Sequence, residues 1–124
     1  RWDPDHVQAR LQRGRCLVRL RRYGDAIADF TFGLENRTGV RMDDGVRYEF
    51  LYERGVAYLS TEKIAHAIDD CDEAIRLRPR LARAYNIRGL AYHQTKDYGR
   101  AIADFTKAIE CDPTWAGHFE NRGL

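Results

Sequence analysis

No stretch of this chain is apolar for long enough to span a bilayer, and no charged start followed by an apolar centre marks a secretory signal. The residues in hand are therefore expected to form a soluble domain. Cysteine is scarce: Cys16, Cys71 and Cys111 are odd in number and far apart, without the paired spacing of a zinc site or a disulfide framework. Reduced thiols fit best, which points to a cytoplasmic-type compartment. His6, His66, His93 and His118 do not fall at metal-ligand spacing, and neither a nucleophile elbow nor a glycine-rich phosphate loop is present. No catalytic residue, metal or cofactor is expected. An excess of one sign of charge is lacking as well. With 21 Lys and Arg against 19 Asp and Glu, the net charge is +2 at pH 7, which argues against nucleic acid as the partner. The imbalance is local: residues 1–22 hold seven arginines against Asp3 and Asp5, whereas Asp69, Asp70, Asp72 and Glu73 cluster later. That acidic cluster reads as a solvated helix face rather than an acid/base or metal site.

Proline is rare too, and its three positions are informative. Pro4, Pro79 and Pro113 each precede Val7, Ala82 and Ala116 by three residues, and these mark the starts of repeating units. Gly55, Gly89 and Gly123 follow one another at intervals of 34 residues, each preceded by arginine, and Gly14 repeats the Arg-Gly pair 41 residues before Gly55. Ala26, Ala67 and Ala101 lie 12 residues after a repeat glycine, and Phe30, Cys71 and Phe105 occupy one further equivalent place. Gly33, Ala74 and Ala108 hold the next. A constant period of this size means stacked supersecondary units rather than one globular core.

Within residues 82–115, Tyr85, Gly89 and Tyr92 recur at helical steps, as do Tyr98, Ala101, Ile102, Phe105, Ala108 and Ile109. Each half is an amphipathic helix, broken at Thr95, Lys96 and Asp97. Glycine inside a helix costs about 1 kcal/mol relative to alanine, so a repeated helical glycine implies a close neighbour, expected here to be Ala101 against Gly89. Cys71 should be a small core residue in the place of Phe30 and Phe105. Arg13, Arg54 and Arg88 recur with Asp29, Asp70 and Asp104 at one offset, which predicts a structural ion pair in each unit.

This alternation of glycine, tyrosine, alanine, phenylalanine, alanine and proline closely resembles the tetratricopeptide repeat family, over essentially the whole chain. The resemblance implies an all-α, right-handed solenoid of antiparallel helix pairs. Three full repeats are expected at 7–40, 48–81 and 82–115, with an insertion loop at 41–47 and the start of a fourth repeat at 116–124. The first unit is the weakest match, with Arg10 in a large apolar place, Gly33 for alanine and Thr38 for proline. Met42, Asp43, Asp44 and Gly45, together with Asn36, Arg37, Thr38 and Gly39, supply breakers for the loop. Trp2, Asp3 and Pro4 read like the tail of a preceding repeat, so the chain is expected to be part of a longer array or of a multidomain protein.

Such a family binds through the concave face of the first helix of each pair. By that resemblance the groove would carry Arg15 and Arg19, then Glu49, Tyr52, Glu53 and Val56, then Arg83, Asn86, Ile87, Leu90 and His93. The mixture suits an extended or helical peptide, and the charges alternate basic, acidic, basic along the groove. In family members that clamp a chaperone C-terminal carboxylate, the matching places here are Leu11, Arg15, Glu53, Arg83 and Ile87. Only Arg83 keeps the charge, and Glu53 repels a carboxylate. The reading is a non-catalytic protein-interaction scaffold with a protein or peptide partner. A regulatory domain of a larger enzyme and an RNA-binding helical repeat of the pentatricopeptide kind are the rivals, the latter opposed by the 34-residue period and the near-neutral charge.

Overall fold

A computed structural model describes residues 4–35 and 42–113, which form six helices and no strand. They are α1 (Pro4–Arg19), α2 (Tyr23–Glu35), α3 (Asp44–Ser60), α4 (Ile64–Leu77), α5 (Ala82–Gln94) and α6 (Tyr98–Cys111). The expectations for Trp2 and Asp3, for Asn36 to Gly39 and for a fourth repeat at 116–124 lie outside the described residues.

The three helix pairs turn in the same way. At equivalent places Arg21, Glu62 and Lys96 adopt left-handed backbone, with φ of 61°, 63° and 65°. Around each, two backbone bonds close the helix end, as in Lys63 N–H to Tyr58 C=O at 2.9 Å and Glu62 N–H to Leu59 C=O at 3.1 Å. The same pair of bonds recurs at Arg22 and Arg21, and at Asp97 and Lys96. This satisfies carbonyls that the helix leaves without partners and reverses the chain in few residues.

The insertion does not run through 41–47 as a loop. Helix α3 begins at Asp44 because the Asp43 carboxylate accepts from the Gly45 and Val46 N–H groups at 2.9 and 3.4 Å. Asp43 thus acts as an N-cap, and Met42 just before it is buried in the core.

Each helix packs against the next in sequence. In addition α1 meets α3 and α3 meets α5, while α2, α4 and α6 do not meet one another. The array therefore bends with α1, α3 and α5 on its inner side.

Phenylalanine, not alanine, crowds two of the repeat glycines, Gly14 and Gly89. A Cβ built on Gly89 would lie 2.7 Å from Cε1 of Phe105, and one on Gly14 would lie 2.3 Å from Cε1 of Phe30. The expected partner Ala101 is fully buried but is not what crowds Gly89. In the middle repeat Cys71 replaces the ring, and a Cβ on Gly55 would sit at an ordinary 3.5 Å from its Sγ. Phe30 and Cys71 have no exposed surface, and Phe105 is also buried. Tyr92, on the apolar stripe shared with Tyr85 and Gly89, is only partly buried, with the Arg100 guanidinium over its ring.

The irregular first repeat is explained by its neighbour. A Cβ on Gly33 would lie 2.3 Å from Cε2 of Phe50, whose ring meets Phe30 edge-on at 6.1 Å between centroids. At the corresponding joint one repeat later Ala74 and Ala84 belong to one core cluster. Glycine plus phenylalanine at one joint does the work of two alanines at the next, which keeps volume filled. Arg10, in the apolar place, bonds Asp29 at 3.1 Å and stacks on the exposed Phe32 ring at 4.1 Å.

The ion pair of each unit forms as a two-pronged bond. Arg13 Nε to Asp29 is 2.7 Å, Arg54 spans Asp70 at 2.8 and 2.7 Å, and Arg88 spans Asp104 at 2.9 and 2.8 Å. All three aspartates are buried. Arg54 and Arg88 also reach back to the preceding repeat, to the Thr31 hydroxyl at 3.2 Å and to Asp72 at 2.8 Å, so each fastens three helices. The acidic cluster is therefore not a simple solvated face. Asp70 is buried on Arg54, Asp72 holds Arg88, Glu73 accepts from Arg47 at 2.9 Å, and the exposed Asp69 alone of the four has no such partner among the described residues.

Candidate binding groove

The inner side brings charged residues of three helices to one point. Glu49, from α3, stands between Arg15 of α1 and Arg83 of α5. Its Oε1 accepts from Arg15 Nη2 at 2.7 Å and from Arg83 Nη1 at 3.2 Å, while its Oε2 accepts from Arg83 Nη2. Arg15 also donates from Nε to Glu53 at 3.0 Å. The order basic, acidic, basic is present, but the charges are spent on one another. They are half-buried, with side-chain exposures of 30% for Arg15, 26% for Glu49, 15% for Glu53 and 34% for Arg83.

Aromatic rings carry Arg83 from below. Tyr48 and Tyr52, one turn apart on α3, stack parallel at 6.5 Å between centroids, and the Arg83 guanidinium lies 5.4 Å and 4.8 Å from the two rings. A guanidinium over an aromatic face is held by the ring quadrupole. Burial lowers the Arg83 pKa, and the hydrogen bonds and charge of Glu49 more than offset it, so the net direction is up. Burial, with the Glu53 charge beside it, pushes the Tyr52 hydroxyl up to about 12. Tyr48 rises by burial as well.

Tyr48 was not among the residues expected at this site. Its hydroxyl accepts the Ala84 N–H at 3.2 Å, in the first turn of α5, which has no side-chain cap of its own. An aromatic pair at i and i+4 was the available signal for a shared face.

The remaining expected positions divide. Arg19 and His93 are exposed, and His93 meets the edge of the Tyr98 ring at 5.5 Å. Val56 and Leu90 are partly buried against the cluster of Leu59, Ala67, Cys71, Ile87 and Ala91. Asn86 and Ile87 are corrections to the expected lining: both are buried, at 4% and 7% exposure, and offer no open surface. Ile87 turns between repeats because its apolar side chain gains more from packing on α4 than from facing the groove. Asn86 has a buried Oδ1 without a hydrogen-bond partner among the described residues. Leu11, in a clamp place, is buried too.

Among the described residues no group of three or more His, Cys, Asp or Glu could hold a metal ion, and no helix is long and apolar enough to cross a membrane. Cys16, Cys71 and Cys111 are free, and burial pushes the Cys71 thiol far up.

Solved structures with this architecture are numerous. The chain is similar to the Hsp90 co-chaperone Cns1 from Saccharomyces cerevisiae, with a TM-score of 0.85 at 19% identity over 96% of this chain and 38% of that one. It thus spans well under two thirds of the Cns1 chain. It is similar also to the first tetratricopeptide domain of Spaghetti (RPAP3) bound to the HSP90 peptide SRMEEVD, with a TM-score of 0.83 at 23% identity over 98% and 94%. MamA gives a TM-score of 0.79 at 26% identity over 98% and 67%. A comparison with curated protein sequences found no match. Family models described as tetratricopeptide repeat match residues 1–32, 48–81 and 82–114, in step with the three helix pairs, and the chain belongs to the tetratricopeptide repeat family.

Proposed function

We propose that this chain is a non-catalytic protein-interaction scaffold that takes a peptide or protein segment along the inner face of α1, α3 and α5. The observation that carries the reading is the half-buried strip of Arg15, Glu49, Glu53, Arg83 and Tyr52, where three helices present hydrogen-bonding heads beside aromatic surface. Such a strip meets the backbone and side chains of an extended ligand without a cofactor. Arg19 and His93 flank it as exposed groups, and Val56 and Leu90 add apolar patches.

The RPAP3 domain in the similar structure holds an acidic peptide ending in a carboxylate. This groove is built against such a ligand. Leu11 and Ile87 are buried in two of the clamp places, Glu53 stands in a third, and Arg83 is already held by Glu49. The peptide SRMEEVD is expected to show no binding in calorimetry.

The test is selection of extended peptides from a display library against the wild-type chain. Binding of the enriched peptides should be lost on Val56→Arg, which blocks the inner face, and kept on Glu110→Arg, on the exposed outer side of α6. Equal binding to both variants rejects the groove.

A further inference from the structure

The Glu49 carboxylate does what an acidic ligand would do. It bridges two guanidiniums from different repeats, sharing Oε1 between Arg15 and Arg83 and meeting Arg83 with both oxygens. Each arginine has a second anchor that does not involve Glu49. Arg83 lies on the Tyr48 and Tyr52 rings, and Arg15 is bonded through Nε to Glu53. With Glu49 withdrawn, two positioned guanidiniums would face the groove as a preformed anion site.

We propose that Glu49 is a built-in competitor for this site, and that the ligand admitted is a peptide carrying an acidic and a basic side chain side by side. The exchange balances. The ligand's carboxylate takes the place of Glu49 on Arg15 and Arg83, and its ammonium or guanidinium pairs with the released Glu49. A purely acidic peptide leaves Glu49 unpaired beside incoming negative charge, and a tethered carboxylate competes at a high effective concentration. Glu49 therefore filters by negative selection, rejecting single-sign partners through repulsion. The inference rests on the inner face being the binding surface, and its readout is a reversal of preference rather than binding alone.

The experiment compares two fluorescein-labelled probes, hexa-aspartate and an alternating aspartate-lysine hexapeptide, by anisotropy on wild type and on Glu49→Gln. Wild type should favour the alternating probe by about tenfold, the scale of one charge-assisted hydrogen bond. Glu49→Gln should reverse the order by gaining hexa-aspartate, and the gain should vanish in Glu49→Gln combined with Arg83→Gln. Helical circular dichroism verifies the fold of each variant. If Glu49→Gln does not fold, Glu49→Asp, too short to bridge both arginines, should show a smaller gain of hexa-aspartate. No gain of hexa-aspartate by a folded Glu49 variant, or a gain that survives loss of Arg83, overturns the proposal. A gain of hexa-aspartate with no binding of the alternating probe to wild type overturns the proposed ligand and the groove's peptide-binding role, while leaving the anion site.

Discussion

Phe105 presses its ring edge onto the backbone of Gly89 so closely that a methyl group on that glycine would stand 2.7 Å from Cε1. The equivalent Gly55 faces Cys71 Sγ at 3.5 Å from the same imagined methyl. One motif glycine is thus sterically required and another is not.

Gly89→Ala should therefore destabilise by about 1–3 kcal/mol through overpacking, even though alanine is the better helix former. Gly55→Ala should be neutral or stabilise by up to about 1 kcal/mol, the helix-propensity gain. Urea melts of the two variants separate the cases. Equal effects would mean that the ring does not determine the glycine.

The joint of Gly33 and Phe50 permits a stricter test of volume exchange. Phe50→Ala should cost about 3–5 kcal/mol, as for a fully buried ring. The pair Gly33→Ala and Phe50→Ala recreates the Ala74 and Ala84 joint, so the double variant should be more stable than the sum of the two single changes. A double-mutant cycle that adds without coupling rejects the compensation.

Arg54 neutralises a buried acid. Arg54→Leu should cost about 3–5 kcal/mol at pH 7, since Asp70 is left charged and unpaired. Burial raises the Asp70 pKa even with Arg54 present, and Arg54 opposes that rise. Without the arginine the rise is larger. A raised folded-state pKa stabilises below the unfolded value of about 3.9 and loses that stability as pH climbs through the folded value. The variant should thus recover part of its lost stability on acidification from pH 7, read as its melting temperature relative to wild type. A deficit that stays constant down to pH 4 contradicts the buried charge.

Tyr52 gives the groove a spectroscopic mark. With its hydroxyl pushed up to about 12, chiefly by burial, it should ionise after an unperturbed tyrosine in an absorbance titration. Tyr52→Phe should reduce that late phase by one hydroxyl, leaving the contribution of Tyr48, which burial also raises. The unfolded chain ionises this group near 10, so its stabilising contribution is complete below pH 10 and is lost as pH rises through about 12. Titration of Tyr52 with the first tyrosines would place it in water rather than under Arg83.

The amino-acid order by itself determined the helix pairs, the 34-residue step, the buried Cys71 and the three Arg–Asp bridges, because each follows from spacing along one helix or from a motif repeated at a constant offset. The end of the insertion was not legible in the same way. Asp43 and Gly45 look like loop residues, and only the hydrogen bonds of Asp43 to the following N–H groups reveal a helix cap. Tertiary structure alone decided what crosses the joints: Phe105 rather than Ala101 against Gly89, Phe50 into the space over Gly33, the Tyr48 hydroxyl on the first turn of α5. It also withdrew Asn86 and Ile87 from the groove and closed Glu49 onto Arg15 and Arg83. Periodicity reports which side chains share a face of their own helix. Which of them meet depends on how the volumes and charges of different helices are shared at contact, and that sharing is a property of the packed array.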